Sequence, residues 1–196
     1  MRYKARVPTA PATGIGFIPP SSFGHATMLH PVFSGLSVPV IAAPMFLVSG
    51  LPLVAACCAA GIVGAFPALN ARSTAEFDAM LDALDAQRAA PGTAPYAVNL
   101  TMRLRGTERF EADLAAVVRH RVPVVITSVG DPAGVVEVVH GYGGVVLHDV
   151  VSLRHARKAA AAGVDGLILV CAGAGGHSGR TTPFAFIPEV RAFFDG

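Results

Sequence analysis

At 196 residues, with 53% hydrophobic and only 14% charged residues, the chain is long enough for one well-buried core and too apolar for intrinsic disorder. A formal net charge of +2, with no basic cluster beside aromatics, leaves nucleic-acid binding without an electrostatic footprint. Cys57, Cys58 and Cys171 make neither a disulfide framework nor a zinc-type spacing, and they read as small buried hydrophobes in a reducing cytoplasm.

The N-terminal stretch to about His30 reads as a loosely ordered extension, with a barrel-type domain over 31–196. It carries Lys and Arg but no signal-type apolar core. From Val7 to Ala71 there is no Asp, Glu, Lys or Arg. That desert invites a membrane span, but Pro39, Pro44, Gly50, Pro52, Gly61, Gly64 and Pro67 break it into short buried elements, which argues against one.

"VPVIAAP", from Val38 to Pro44, is a short β-branched run and reads as a buried strand. "SGLPLVAACCAAG" follows as a helix, with Ser49 a candidate N-cap, Pro52 in the first turn and Gly61 at the exit. "GIVGAF" is the next strand. "STAEFDAMLDALDAQRAA" is the clearest helix: Ser73 and Glu76 have capping-box spacing, and Phe77, Met80, Leu81 and Leu84 make one apolar stripe. "PYAVNL" is a strand, and "GTERFEADLAAVVRHR" a helix with Phe110, Leu114 and Val117 on one face. "VPVVITSV" is a strand, and "DPAGVVEVVHGYG" a short helix capped by Asp131 with Pro132 at its first position. "GVVLHDV" is a strand, "SLRHARKAAAAG" a helix and "VDGLILV" a strand. "TPFAFIPEVRAFF" starts a last helix that Pro188 is expected to interrupt.

Strands alternating with helices at this spacing predict a parallel sheet, either doubly wound or of the (β/α)8 barrel type. In both, functional groups sit where strands end and helices begin. Those positions are Met45, Phe66 to Asn70, Asn99 to Arg103, Ser128 to Asp131, His148 to Asp149, and Cys171 to Thr182.

The glycine-rich piece "GAGGHSG", Gly173 to Gly179, lies in the last of these. A dinucleotide fingerprint starting at Gly173 needs glycine where Ser178 stands, and a P-loop needs a lysine that is absent. What remains is a turn with an incidental histidine, or a loop whose amides approach a flat or anionic ligand while His177 moves a proton. Asn99 could bond a ligand or cap the next turn, and Arg180 could meet an anion or be solvated. His148 ends a strand at the same rim, while His120, His140 and His155 read as solvated helix residues. No H-x-x-x-H, H-E-x-x-H or carboxylate cluster supports a metal site.

From about Val38 onward, "PVIAAPM", "NL", "HDVVSLRHARKAAAAGVDGLILVCAGAGGHSG" and "PFAFIPEVR" resemble the nitronate monooxygenases, formerly called 2-nitropropane dioxygenases. The A-G-G-H-x-G piece after a G-x-D-G-L-I strand is the most specific of these. The resemblance implies an FMN-dependent TIM barrel that oxidises alkyl nitronates or nitroalkanes with O2, without a metal. It implies His177 as the acid/base, and Ala43, Pro44 and Met45 against the flavin ring. Asn99, His148, Gly173, Ala174, Gly175 and Gly176 would line the cofactor. The related flavin-type enoyl-acyl-carrier-protein reductases share the loop histidine and use NAD(P)H. About six of the eight βα units are present, and a barrel's phosphate site is usually built after strands seven and eight. That predicts weak FMN anchoring, a completing chain or homo-oligomer, or a remnant without catalysis.

Overall fold

The computed structural model describes residues 30–196, so the expected N-terminal extension, apart from His30, lies outside the described residues. Six strands, β1 (Ile41–Ala42), β2 (Val63–Pro67), β3 (Tyr96–Thr101), β4 (Val124–Ser128), β5 (Val145–Val150) and β6 (Gly166–Leu169), alternate with six helices. The helices are α1 (Leu51–Ala59), α2 (Thr74–Arg88), α3 (Glu108–Arg119), α4 (Ala133–His140), α5 (Leu153–Ala161) and α6 (Pro183–Arg191).

Every strand pairs in parallel with its neighbour in sequence, in the order β1-β2-β3-β4-β5-β6. A doubly wound sheet reverses its order at a switch point, and no reversal occurs here. The sheet is therefore six-eighths of a (β/α)8 barrel wall, with β1 and β6 as its two edges.

Strand alternation sorts the core into two layers. Phe66, Tyr96, Val98, Val125, Val146 and Val150 face the helices and pack with Phe77, Leu81, Val117, Val135 and Ala156. Val63, Ala65, Ala97, Val124, Ile126, Val145 and Leu147 face the barrel interior.

The helix signals in the sequence have structural counterparts, with local shifts. Ser73 Oγ accepts from the Glu76 amide at 3.1 Å, while the Glu76 carboxylate reaches past the cap to the Arg72 amide at 2.8 Å. Pro132, expected at the first helical position, is the N-cap of α4, and Asp131 Oδ1 accepts from the Ala133 amide one residue outside it; α5, for which the sequence offered no cap, is capped by Ser152. The N-cap of α1 is Gly50 rather than Ser49, because the Ser49 hydroxyl serves the preceding loop. Helix α6 runs through Pro188: Phe186 and Val190 bury one face, and the proline sits on the exposed side.

His120 also departs from expectation. Its side chain is only 11% exposed, with Nδ1 at 2.9 Å from Asp85 and Nε2 at 3.0 Å from Asp78, which ties the end of α3 to α2. His140 pairs with Asp165 at 2.8 Å. Among the described residues, no helix is long and apolar enough to cross a membrane.

Candidate functional site

The interior of the wall changes chemistry along its height. Ala65, Ala97, Val124 and Val145 make a wholly apolar level. One step toward the strand C-termini, Pro67, Asn99, Ile126, Leu147 and Gly166 lie in register. At the rim, Thr101 pairs with Ser128, and Asp149 pairs with Ile168. Since Thr127 pairs with His148, Ser128 and Asp149 share this last level. Asn99 Nδ2 donates to the Ile126 carbonyl at 3.1 Å and to Ser128 Oγ at 3.3 Å, and Oδ1 accepts from none of the described residues.

Ala43, Pro44 and Met45 follow β1 in a loop held from two sides. Buried Ser49 accepts from the Met45 amide at 3.0 Å and donates to the Ala43 carbonyl at 3.4 Å. Asn70, at the end of the β2 crossover turn, donates to the carbonyls of Met45 and Ser49 and accepts from the Leu47 amide. Leu47 has φ of 63°, a left-handed conformation uncommon outside glycine, and that side-chain acceptor supports it. The loop presents Met45, Phe46, Leu47 and Val48 to solvent, an apolar run beside the mouth.

The glycine-rich loop leaves β6 and returns toward α6, closed by the Ala172 amide donating to the Thr181 carbonyl. Gly173 and Gly176 have φ of +90° and +69°, which explains both glycines locally. Gly179 is required by proximity: a Cβ there would lie 2.1 Å from the Val170 carbonyl oxygen. Gly175 has neither constraint, since its φ is ordinary and a Cβ would meet nothing within 4 Å. Among the described residues, no backbone carbonyl accepts from the amides of Gly175, Gly176 or His177. The loop thus offers free donors and an exposed imidazole beyond the C-terminal end of β6.

His148 is not brought into this cluster. Strand parity puts it on the helix side with Val146 and Val150, where it is 4% exposed and its Nδ1 lies 2.8 Å from Thr127 Oγ1. Burial pushes its imidazole below the usual value; Asp131 opposes that shift and His155 adds to it. The adjacent Asp149 faces inward instead. Burial pushes the Asp149 carboxyl up to about 6, against the pull of the His177 charge.

The sequence analysis placed Asn70 and Asp149 among the strand-end positions without giving either a role, and read Ser49 only as a helix cap. The signal for Asp149 was parity, because interior Val145 and Leu147 put every second residue of β5 toward the mouth.

No family model matches the chain, and no curated protein matches it. Among solved structures it is similar to FabK from Thermotoga maritima, with TM-score 0.70 and 22% identity over 82% of this chain and 49% of that one. It is also similar to the nitroalkane oxidase of Streptomyces ansochromogenes, with TM-score 0.63 and 25% identity over 82% of this chain and 57% of that one. The chain spans about half the length of the solved structures it matches. The likeness shows the fold.

Proposed function

We propose that the six units form part of a flavin-dependent oxidoreductase that converts alkyl nitronates or nitroalkanes and O2 to carbonyl compounds and nitrite. The motifs after β1, β3 and β6 support it, as does the structural likeness to a nitroalkane oxidase. What supports the reading most is topology: the loop that carries the unpartnered amides and His177 follows β6 at the same strand-C-terminal end as Asn99 of β3.

The residues fit a flavin. Gly175 is a glycine that neither φ nor internal packing demands, as expected where backbone approaches a flat ligand. Ala43, Pro44 and Met45 offer a constrained, apolar surface for the ring, and Asn99 Oδ1 an acceptor. Gly173, Ala174, Gly175 and Gly176 would line the same group. His148 is left out of this set, because its ring points into the helix layer. FMN, when bound, supplies the electron-accepting ring for the oxidation.

The chain's own residues handle the proton and the geometry. With a neutral nitroalkane, His177 removes the α-proton; the C–H electron pair moves into the C=N bond, leaving a nitronate and an imidazolium. The Gly175, Gly176 and His177 amides favour negative charge developing on the nitro oxygens. Further βα units, from a longer chain or a second copy, would pair with the β1 and β6 edges.

The test combines FMN titration of the purified chain with oxygen uptake on propyl-2-nitronate in the absence of NAD(P)H. Quenching of flavin fluorescence with oxygen uptake and nitrite release is the expected result. NAD(P)H-dependent reduction of an enoyl thioester, without nitronate turnover, would replace this reaction with the reductase one. Absence of flavin binding and of turnover would overturn the reading.

A further inference from the structure

We propose that Arg109 is a positioning residue of the candidate cofactor site: seated on buried Asp113, it locks the turn from Ala68 to Arg72, and through Asn70 the loop that carries Met45. The inference rests on the reading above for what that loop holds, and on hydrogen bonds for its geometry. Arg109 stands in the first turn of α3 between Glu108 and Glu111. Acidic residues suit that end of a helix and a cation does not, so the helix itself gives no reason for an arginine there. Its guanidinium is bonded through Nε and both terminal nitrogens. Nε donates to Asp113 Oδ2 at 2.7 Å, and Nη1 to the Arg72 carbonyl at 3.1 Å. Nη2 donates to the Ala71 carbonyl at 2.9 Å and to the Ala68 carbonyl at 3.4 Å. All these carbonyls belong to the one turn that joins β2 to α2.

The contacts continue on both sides of Arg109. Behind it, Asp113 is 2% exposed, and its other oxygen accepts from Thr74 Oγ1 at 2.8 Å, at the start of α2. A carboxylate fixed in this way holds the planar guanidinium in one orientation. Ahead of it, the turn carries Asn70, whose side chain donates to the carbonyls of Met45 and Ser49 and accepts from the Leu47 amide. Asn70 meets these groups only while the backbone under it keeps its place. That backbone is a three-residue 3-10 helix, Ala68–Asn70, closed by a bond of 3.2 Å from the Ala71 amide to the Ala68 carbonyl. So short an element is weak by itself. Arg109 grips it at Ala68, where it starts, and at Ala71 and Arg72, just past its end. The Ser49 hydroxyl ties the loop only to itself, through Met45 and Ala43, whereas Asn70 and Arg109 tie it to the barrel's helix layer. A lysine ammonium could keep the ion pair with Asp113, but it has no planar fork to span the turn.

Amide hydrogen exchange at Leu47, read by NMR on the 196-residue chain, tests the relay. The proteins are the native sequence, Arg109→Lys, Asn70→Ala and the two substitutions together, each also titrated with flavin by fluorescence. Lysine is chosen because alanine would strand the buried Asp113 carboxylate. A second variant, Arg109→Met with Asp113→Asn, removes both charges at once and leaves nothing to bond the carbonyls of the turn. Exchange at Leu47 should be about tenfold faster in Arg109→Lys and in the charge-free pair, since the loop opens locally more often. Flavin binding should weaken by about tenfold with it, as the preorganised surface is lost. Adding Arg109→Lys to Asn70→Ala should change neither quantity further, because both substitutions act through one side chain. His120→Ala, at the other end of the barrel, lowers general stability and should leave Leu47 at the native rate. Native exchange in both Arg109 variants overturns the proposal. So does an additive effect in the Arg109→Lys, Asn70→Ala protein, or equal acceleration in His120→Ala. A native chain that binds no flavin removes the flavin reading alone, and the relay is then judged at Leu47.

Discussion

Asn70 donates from Nδ2 to the Met45 carbonyl at 3.0 Å, so a residue beyond β2 fixes the loop that leaves β1. The same side chain bonds the Ser49 carbonyl and the Leu47 amide, and thus organises both ends of the exposed apolar run. Replacement by Ala removes all three bonds and the support for the left-handed Leu47. Partly exposed hydrogen bonds contribute modestly, so the global loss should be about 1–2 kcal/mol. The local effect should be larger: faster proteolysis within 45–49 and weaker flavin binding, read by limited digestion and fluorescence titration. Unchanged digestion would mean that Ser49 alone holds the loop.

Two glycines in the loop after β6 should respond in opposite ways. Gly179→Ala forces a Cβ onto the Val170 carbonyl at 2.1 Å and should destabilise the chain by about 1–3 kcal/mol. Gly175→Ala meets no atom within 4 Å, and its stability should stay within about 0.5 kcal/mol of the native chain. If that glycine exists for a ligand, flavin affinity should nevertheless fall. Urea denaturation paired with flavin titration separates the two effects, and native affinity in Gly175→Ala would remove the loop from the cofactor contacts.

His177→Asn separates proton abstraction from oxidation. A nitronate has already lost its α-proton, so only the neutral nitroalkane needs a base. Nitroalkane turnover should fall by about 10²–10⁴-fold, the usual contribution of a positioned general base, and nitronate turnover far less. Steady-state oxygen uptake with both substrates measures the ratio. Equal losses would assign His177 to binding rather than to proton transfer.

At the other end of the barrel, His120 joins α2 to α3 through Asp78 and Asp85. Both ring nitrogens face carboxylate oxygens, so both bonds form only when the imidazole is doubly protonated. His120→Ala should cost about 1–2 kcal/mol by urea denaturation, since it removes both α3–α2 bonds of the imidazole while Asp78 keeps Arg119 and Asp85 keeps Tyr96 and Arg88. Asp78 adds an acid-side dependence. Arg119 first, and His120 second, hold its carboxyl below the usual value. Its stabilisation is therefore present above the ordinary aspartate range and is lost as pH falls through the depressed folded value. Asp78→Asn should weaken the chain at pH 7 and leave it unchanged well below that value.

What could be read in advance was local. Apolar runs bounded by Gly and Pro located the strands, although β1 keeps only Ile41–Ala42 of the run Val38 to Pro44 and is half-buried, and Ser73 carries the cap bond that its spacing predicts. What could not be read was long-range or depended on parity. Asn70 meets partners 21 to 25 residues away, and His120 meets aspartates 35 and 42 residues away, so no short window contains either pair. At the end of β5, a one-residue difference decides which side chain reaches the mouth. His148 is the more conspicuous chemical group, but the pleat turns it to the helices and presents Asp149 instead. Likewise, the choice between doubly wound and barrel-type sheets depends on strand order, which alternation of elements does not encode.

Asp149 also gives a stability prediction that opposes an anchoring role. Its folded carboxyl is raised from 3.8 to about 6, so between those values the folded chain binds more protons than the unfolded one. Stability should therefore decline as pH rises through that window, with the full cost present above it. A shift of this size corresponds to about 3 kcal/mol, which partial solvent contact reduces to about 1–2 kcal/mol. Asp149→Asn should accordingly be more stable than the native chain at pH 7 and equal to it near pH 3. Urea midpoints at the two pH values measure the difference. A variant less stable at pH 7 would make the carboxylate a structural anchor; a more stable one identifies a charge that the fold carries at a cost.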